Sequence, residues 1–402
     1  MKVLVTGADG YLGWPTCLRF SARGDEVLAV DSYAKRAWED EVGVRPLLPV
    51  PPLEERVRRW FQVSGRTIAV QAGDLCDEGF IEAVVADLTP DVVIHFGQQP
   101  SAPYSMLDAR HAVFTQVNNV VGTLRLLFAL RDHSPATHLV KLGTMGEYGT
   151  PAIDIEEGFL DVEHRGRRDR LPFPKQPGSI YHLSKVHDSH NIMFACRTWR
   201  LRASDLNQGI VYGLDTGQTQ LHPDLRTSFH YDAIFGTVFN RFCVQALTDH
   251  PLTVYGRGRQ TRGFLNILDT LQSIEVVADH PPMAGEYRVF NQFTEQFVVA
   301  ELARRVAEAA RAFGRSPTIW STENPRVEAE EHYYKAVHRK LADLGVRPHL
   351  LTDGVVVSLL AALEPAVSRV DPDAFWPTIY WTGERPGHGR PATSTVDSSS
   401  RG

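Results

Sequence analysis

Tyr181 and Lys185 stand one helical turn apart in Tyr181-His-Leu-Ser-Lys185. On a helix this spacing brings a phenol close to an ammonium. The cation favours the phenolate, so the tyrosine pKa falls and the side chain becomes a base able to work near neutral pH. Far upstream, Gly7-Ala-Asp-Gly10-Tyr-Leu-Gly13 follows the apolar run Val3-Leu4-Val5. Gly7 allows a tight turn, Gly10 lets the backbone approach a pyrophosphate, and Gly13 lets a helix pack closely on the strand. A pyrophosphate cradle with a tuned phenol predicts hydride transfer to and from an alcohol.

Strands and helices must carry these groups. Glu26-Val-Leu-Ala-Val-Asp31 reads as a second strand, and its last carboxylate suits adenosine ribose hydroxyls and opposes a 2′-phosphate. That predicts NAD rather than NADP. Further apolar runs are Thr67–Val70, Asp91–Phe96 and Thr137–Leu142, with helical patterns between them such as Asn118–Arg131. The alternation predicts an α/β fold, a Rossmann-type doubly wound parallel sheet. Asp74 and Leu75 follow the third strand, where a carboxylate and an amide can read adenine. Phe96-Gly97-Gln98-Gln99 follows the fourth, at the carboxyl edge where ligands bind. Thr144 closes the fifth, so its hydroxyl is expected in the same crevice. Tyr11, Leu12 and Asn119 complete the expected cofactor set. The stretch 32–66 is unusually long and proline-rich, and long loops are usually functional. It is expected to fold over the cofactor or substrate, with Arg36 as a cation for the pyrophosphate.

The chain of 402 residues is 43% hydrophobic, enough for one large core or two lobes. We expect a cofactor domain over 1–208, with later segments near 236–250 and 264–295 returning to it. A smaller α/β substrate lobe is expected over 209–382, and a disordered tail over 383–402. A net charge of −6 speaks against a nucleic-acid or anionic-membrane partner. No uninterrupted apolar run approaches the length of a membrane span, and with a strand expected from residue 2 no signal peptide is expected. Four scattered cysteines without a CxxC point to the cytoplasm. His182, His187, Asp188 and His190 crowd one helix, but Tyr181 and Lys185 already occupy it and no metal is expected.

These residues resemble the extended short-chain dehydrogenase/reductase family of nucleotide-sugar epimerases and dehydratases. The resemblance spans most of residues 1–380. It rests on long stretches, among them Asp9-Gly-Tyr-Leu-Gly-Trp14, Ser101-Ala-Pro-Tyr-Ser-Met106, Leu139-Val-Lys-Leu-Gly-Thr-Met-Gly-Glu-Tyr-Gly-Thr150, Tyr181-His-Leu-Ser-Lys-Val-His-Asp-Ser-His-Asn191 and Gly258-Arg-Gln-Thr-Arg-Gly263. It implies bound NAD, a UDP-sugar substrate, a homodimer and, in the nearest subgroup, sulfite. Tyr181 then takes the proton of the sugar 4-hydroxyl, Lys185 holds the nicotinamide ribose and the phenolate, and Thr144 hydrogen-bonds the 4-oxygen. A 4-ketone acidifies C5, water leaves across C5–C6, and a nucleophile adds at C6. Substrate contacts are expected from Gln98, Glu147, Asn207, Tyr255, Gln260, Arg262 and Arg326, the two arginines on the diphosphate.

Two local departures bear on the reaction. Ordinary 4,6-dehydratases carry an Asp-Glu pair after the catalytic threonine, and this chain has Met145 and Gly146. Sulfite-adding members usually read Gly-Glu-Gln-Arg-Ser-Ala-Pro, and here Pro100 stands at the arginine. A sulfite dianion would profit from that cation. The alternatives are a UDP-sugar 4-epimerase or 5,6-dehydratase without sulfite, and a non-catalytic NAD(H) sensor.

Overall fold

The computed structural model describes residues 1–328 and 334–383. The tail expected to be disordered lies, Gly383 apart, outside the described residues. Seven parallel strands form the main sheet: β1 (Lys2–Thr6), β2 (Glu26–Asp31), β3 (Ala69–Ala72), β4 (Val92–His95), β5 (His138–Thr144), β6 (Arg202–Gln208) and β7 (Tyr287–Gln292). Their order is β7-β6-β5-β4-β1-β2-β3. The order reverses between β1 and β4, whose residues pair from Val3 with Val92 to Thr6 with His95. A crevice opens there at the carboxyl ends, as doubly wound sheets require.

Alternation along β1 sends Val3 and Val5 to one face and Leu4 to the other. Val3 and Val5 meet Trp14 and Leu18 of helix α1 (Gly13–Arg23), with Ile274 and Val277 of the helix Ile267–Asp279. Leu4 meets Leu126 and Leu130 of helix α2 (Ala109–His133) and Ile192 of helix α3 (Ile180–Trp199). Asp108 caps α2 by accepting the His111 N–H, and Ser179 caps α3 by accepting the His182 N–H. By length and composition α2 is apolar enough to cross a membrane, although no uninterrupted apolar run in it suggests one. Its inner face is buried on the sheet. Its outer face exposes Val113, Val117 and Val121.

The second core gathers Phe239, Phe242, Leu252, Phe264, Leu302, Val306 and Leu360. It lies around a small sheet of Glu295–Val298, Thr261–Asn266 and Ile210–Tyr212, and a pair of Leu252–Tyr255 with Ile319–Thr322. The chain enters this region more than once. The helix Val238–Leu247, expected to return to the main sheet, packs in the second core instead, where Phe239, Phe242, Cys243, Val244, Ala246 and Leu247 are buried. Within 264–295, Ile267–Asp279 packs on the main sheet and Tyr287–Gln292 joins it. The stretch 32–66 folds as helices Ala34–Glu41 and Leu53–Ser64. Its Leu47 and Leu48 belong to the second core, and the Leu47 N–H donates to Phe229 O at 2.8 Å, so it bridges the two regions. A hairpin of Phe159–His164 and Arg167–Pro172, absent from the sequence reading, projects between β5 and α3.

Candidate active site

One cavity of about 870 Å³ runs from the glycine turn, past the ends of β1, β4 and β5, to the second core. The glycine turn forms its first end. Gly7 has φ of +74°, and a Cβ there would lie 2.6 Å from the Phe96 carbonyl carbon. A Cβ on Gly13 would lie 2.0 Å from Gly7 O, so α1 can start this close to β1 only with glycine. Tyr11, Leu12 and Gly10 line the cavity here, as do Asp74, Leu75 and Phe96. Asp31 closes β2 on the same wall. Its carboxylate accepts the Asp9 N–H at 2.8 Å and the Tyr33 N–H at 2.7 Å, which fixes its direction. A glycine cradle that no side chain can enter, beside an oriented carboxylate, fits a dinucleotide whose 2′-position is a free hydroxyl.

Arg36 does not serve this end as expected. Asp9 sits inside the glycine turn, and Arg36 grips its carboxylate at 2.7 and 3.0 Å. The same guanidinium donates to Val50 O and Pro51 O. Its donors are thus committed to tying the 32–66 stretch to the turn. Arg56, buried and stacked 4.7 Å over Trp14, reaches Asp9 as well.

The middle of the cavity carries Thr144 and Tyr181. Thr144 Oγ1 accepts the Gly146 N–H at 3.2 Å, which leaves its O–H to donate toward the cavity. Lys185 lies just behind the wall, its Nζ 5.8 Å from the centre of the Tyr181 ring. It donates to Leu142 O at 2.7 Å and to Gln98 Oε1. The protein groups around Tyr181 do not lower its pKa as expected. Burial pushes the phenol up, and Glu147 adds to the rise. Burial and the Lys141 ammonium bring Lys185 down to about 8. His182 also lines the cavity, hydrogen-bonded to Ser179 Oγ, and burial pushes it down to about 3, so it is neutral.

Four expected ligands are turned away from the cavity or spent elsewhere. Glu147 is fully buried and receives Lys141 at 3.2 Å, Ser189 at 2.8 Å, the Thr144 N–H at 3.3 Å and Lys175. Asn207 is equally buried, behind Gly143, and donates to the Tyr148 hydroxyl. Asn119 braces the turn after β4 by accepting the Gln99 N–H and donating to Gln99 O, while its neighbour Asn118 faces the cavity. Gln98 lines the cavity, but its amide binds Lys185 and Asp188. Polar residues at strand ends face either the crevice or the layer behind it, and spacing alone does not separate the two.

The far end holds Tyr255, Gln260, Arg262 and Arg326, all on the wall. Arg262 pairs with Glu328. Arg326 is half-buried, and desolvation with the neighbouring Arg262 and Arg241 pushes its pKa down. Arg241 is a third guanidinium on this wall that the sequence reading missed. It donates to the Tyr255 hydroxyl and to Thr253 O, both at 3.2 Å, and its Nε has no partner among the described residues. The available signal was an arginine inside the apolar run Val238-Phe-Asn-Arg-Phe-Cys-Val244. Among the described residues, Arg241, Arg262 and Arg326 share this wall with Glu328, and guanidiniums grouped in this way suit a phosphate group. Lys35, Glu39 and His230 form another unforeseen wall, with Lys35 Nζ 2.8 Å from His230 Nε2.

Comparison with known proteins agrees with this geometry. The model of the NAD dependent epimerase/dehydratase family matches residues 3–292. The chain is 52% identical over 380 residues to the chloroplastic UDP-sulfoquinovose synthase of Spinacia oleracea, covering 94% of this chain and 79% of that one. It is 42% identical over 372 residues to the UDP-sulfoquinovose synthase of Sulfolobus acidocaldarius, covering 92% and 94%. Among solved structures, a UDP-glucose-4-epimerase of Stenotrophomonas maltophila with bound NAD and formylated UDP-arabinopyranose shares the fold, at TM-score 0.69 and 17% identity over 92% of this chain and 99% of that one. The chain belongs to the NAD-dependent epimerase/dehydratase family.

Proposed function

We propose that this protein is a UDP-sulfoquinovose synthase, replacing the C6 hydroxyl of UDP-glucose by sulfonate through a 4-keto intermediate. The near full-length 52% identity to the spinach enzyme carries this reading. The glycine turn and Asp31 hold NAD, and Arg241, Arg262 and Arg326 hold the sugar diphosphate. In this reading the sugar lies against Thr144 and Tyr181.

Thr144 donates to the sugar 4-oxygen and orients it. Tyr181 removes the 4-hydroxyl proton as its C–H hydride leaves. NAD⁺, when bound, supplies the hydride acceptor and a positive charge. That charge, with Lys185, offsets the burial that favours the protonated phenol. The resulting ketone acidifies C5, so the C5 proton and C6 hydroxyl leave as water. Sulfite sulfur then bonds to C6, C5 regains a proton, and Tyr181 returns its proton when C4 is reduced. The wall built by 32–66 limits access of bulk water to these intermediates.

Pro100 lines the cavity and favours a second reading, a UDP-sugar 4-epimerase or 5,6-dehydratase that uses no sulfite. Mass spectrometry of products from UDP-glucose, with and without sulfite, decides between them. A sulfite-dependent product in which sulfonate replaces hydroxyl is expected. An isobaric or dehydrated product regardless of sulfite would overturn the synthase reading.

We also take the protein to be a homodimer. Val113, Val117 and Val121 on α2 and Phe194 on α3 are 63%, 47%, 36% and 47% exposed, and the helical spacing of the valines makes an apolar stripe. Four unpaired cysteines suit a reducing compartment, the cytoplasm in our reading.

A further inference from the structure

We propose that Asp188 is a positioning residue for the reaction, holding Lys185 charged and in place through the side-chain amide of Gln98. The inference rests on the function proposed above, because it assigns Lys185 a role beside Tyr181.

The geometry is a three-member relay. Gln98 Nε2 donates to Asp188 Oδ2 at 2.5 Å and to Thr123 Oγ1 at 3.0 Å, and Gln98 Oε1 accepts from Lys185 Nζ. The amide can point only this way, since a carboxylate accepts and an ammonium donates. Asp188 and Lys185 lie one turn apart on α3, so the relay closes a loop between two residues of one helix. Asp188 is fully buried, and its Oδ1 has no partner among the described residues.

Charge balance explains why a carboxylate stands there. Three ammonium groups lie beneath the cavity: Lys141 and Lys185 are buried, and the Lys175 side chain is 7% exposed. Lys141 has Glu147 and Asp205 at 3.2 Å each, and Lys175 has Glu147. Among the described residues Lys185 has no carboxylate in direct contact. Asp188 is the third buried anion, and Gln98 connects it to the third cation. Buried charges without such a partner are costly.

The groups facing Asp188 are Lys185 and Tyr181 on its own helix, Lys141 on β5 and Glu147 just after it. His95 on β4 shares Thr123 with Gln98 and is neutral, pushed by burial to about 3. Burial pushes Asp188 up to about 7, and the two ammonium groups oppose that rise. The same burial, with Lys141, presses Lys185 toward neutrality. Removing the Asp188 charge leaves Lys185 as the site that loses its proton, because Lys141 keeps two carboxylates.

The chain has seven lysines, so lysine ¹³Cε resonances of the NAD-loaded protein can be resolved and Lys185 assigned with Lys185→Met. Asp188→Asn keeps an acceptor for Gln98 and removes the charge. It should move the Lys185 midpoint down by about one pH unit, a tenfold loss of proton affinity. The alkaline limb of kcat/KM should move with it while KM for UDP-glucose stays within about twofold. An unchanged Lys185 midpoint overturns the proposal, including when NAD content and Tm both fall, since a packing role alone predicts that pattern. Should Asp188→Asn not fold, Gln98→Leu cuts the relay at the cavity wall and must give the same downward shift. The titration uses no sugar and no sulfite, so an enzyme inert toward UDP-glucose would refute the proposed function and leave the titration to judge the relay.

Discussion

Replacing Glu147 by glutamine tests whether this residue serves the fold or the substrate. The change keeps the shape and removes one of the carboxylates Glu147, Asp188 and Asp205 that are buried beneath the cavity. It also turns an NH₂ group toward donors at Lys141, Lys175, Ser189 and the Thr144 N–H. Burial pushes the Glu147 pKa up, but Lys141 and Lys175 outweigh it and bring it from 4.5 to about 2. A depressed carboxylate contributes stability above its unfolded pKa and loses it as pH falls through the folded one. The window is therefore about pH 4.5 down to about 2. A shift of this size is worth about 3 kcal/mol at pH 7, and about 1.4 kcal/mol remains at pH 3. Breaking a buried pair costs about 3–5 kcal/mol by the independent experience of ion-pair mutants, so the two figures meet near 3. Urea denaturation of wild type and Glu147→Gln at both pH values measures the difference. It should narrow toward low pH, and kcat should fall less than tenfold. A loss under about 1 kcal/mol together with a hundredfold fall in kcat would refute the reasoning and return Glu147 to the substrate.

Four further outcomes follow from the site. Tyr181→Phe should lower kcat by about 10³-fold, within the range of general acid–base effects, while the purified protein keeps its NAD; a sensor would respond as before. Gly13→Ala places a methyl 2.0 Å from Gly7 O, so the variant should purify without NAD, as read by absorbance after denaturation. Arg241→Ala should raise KM for the UDP-sugar by about 10–100-fold, the worth of a charged hydrogen bond, with a smaller change in kcat. Val117→Glu puts a charge in the exposed stripe on α2 and should give a monomer by light scattering.

The glycine turn, Asp31, Thr144 and Tyr181 were readable because a period or a spacing specifies each. A strand must precede the turn, an acidic residue must end the second strand, and one helical turn must separate phenol from ammonium. The side on which a polar group falls was not readable. Asn119 and Asn207 occupy expected positions along the chain, yet Asn119 meets Gln99 and Asn207 meets Tyr148. Arg36 was placed on the correct wall and given the wrong partner, because Asp9 lies 27 residues before it. The helix Val238–Leu247 was misassigned since its apolar face, set against Asn240, Arg241 and Gln245, fits either core and its pattern does not say which.

The layer behind the cavity shows why such residues matter to the chemistry. Lys141 sits in the middle of β5 with no exposure, where an apolar residue would pack without any ionic partner. Replacing a buried ion network by well-packed apolar side chains is often neutral or stabilising, so stability alone does not account for this one. Its contacts supply another reason. Lys141 Nζ donates to Lys185 O at 3.1 Å and to Ser189 Oγ at 2.9 Å, which holds α3 against β5 at the turn that carries the reacting groups. Glu147 reaches from the same network to the Thr144 N–H and fixes the end of β5. Thr144 and Tyr181 come from different elements, and a displacement of about 1 Å between reacting groups can cost two orders of magnitude in rate. Directional bonds to a charged centre specify that separation, whereas apolar contacts allow the helix to slide.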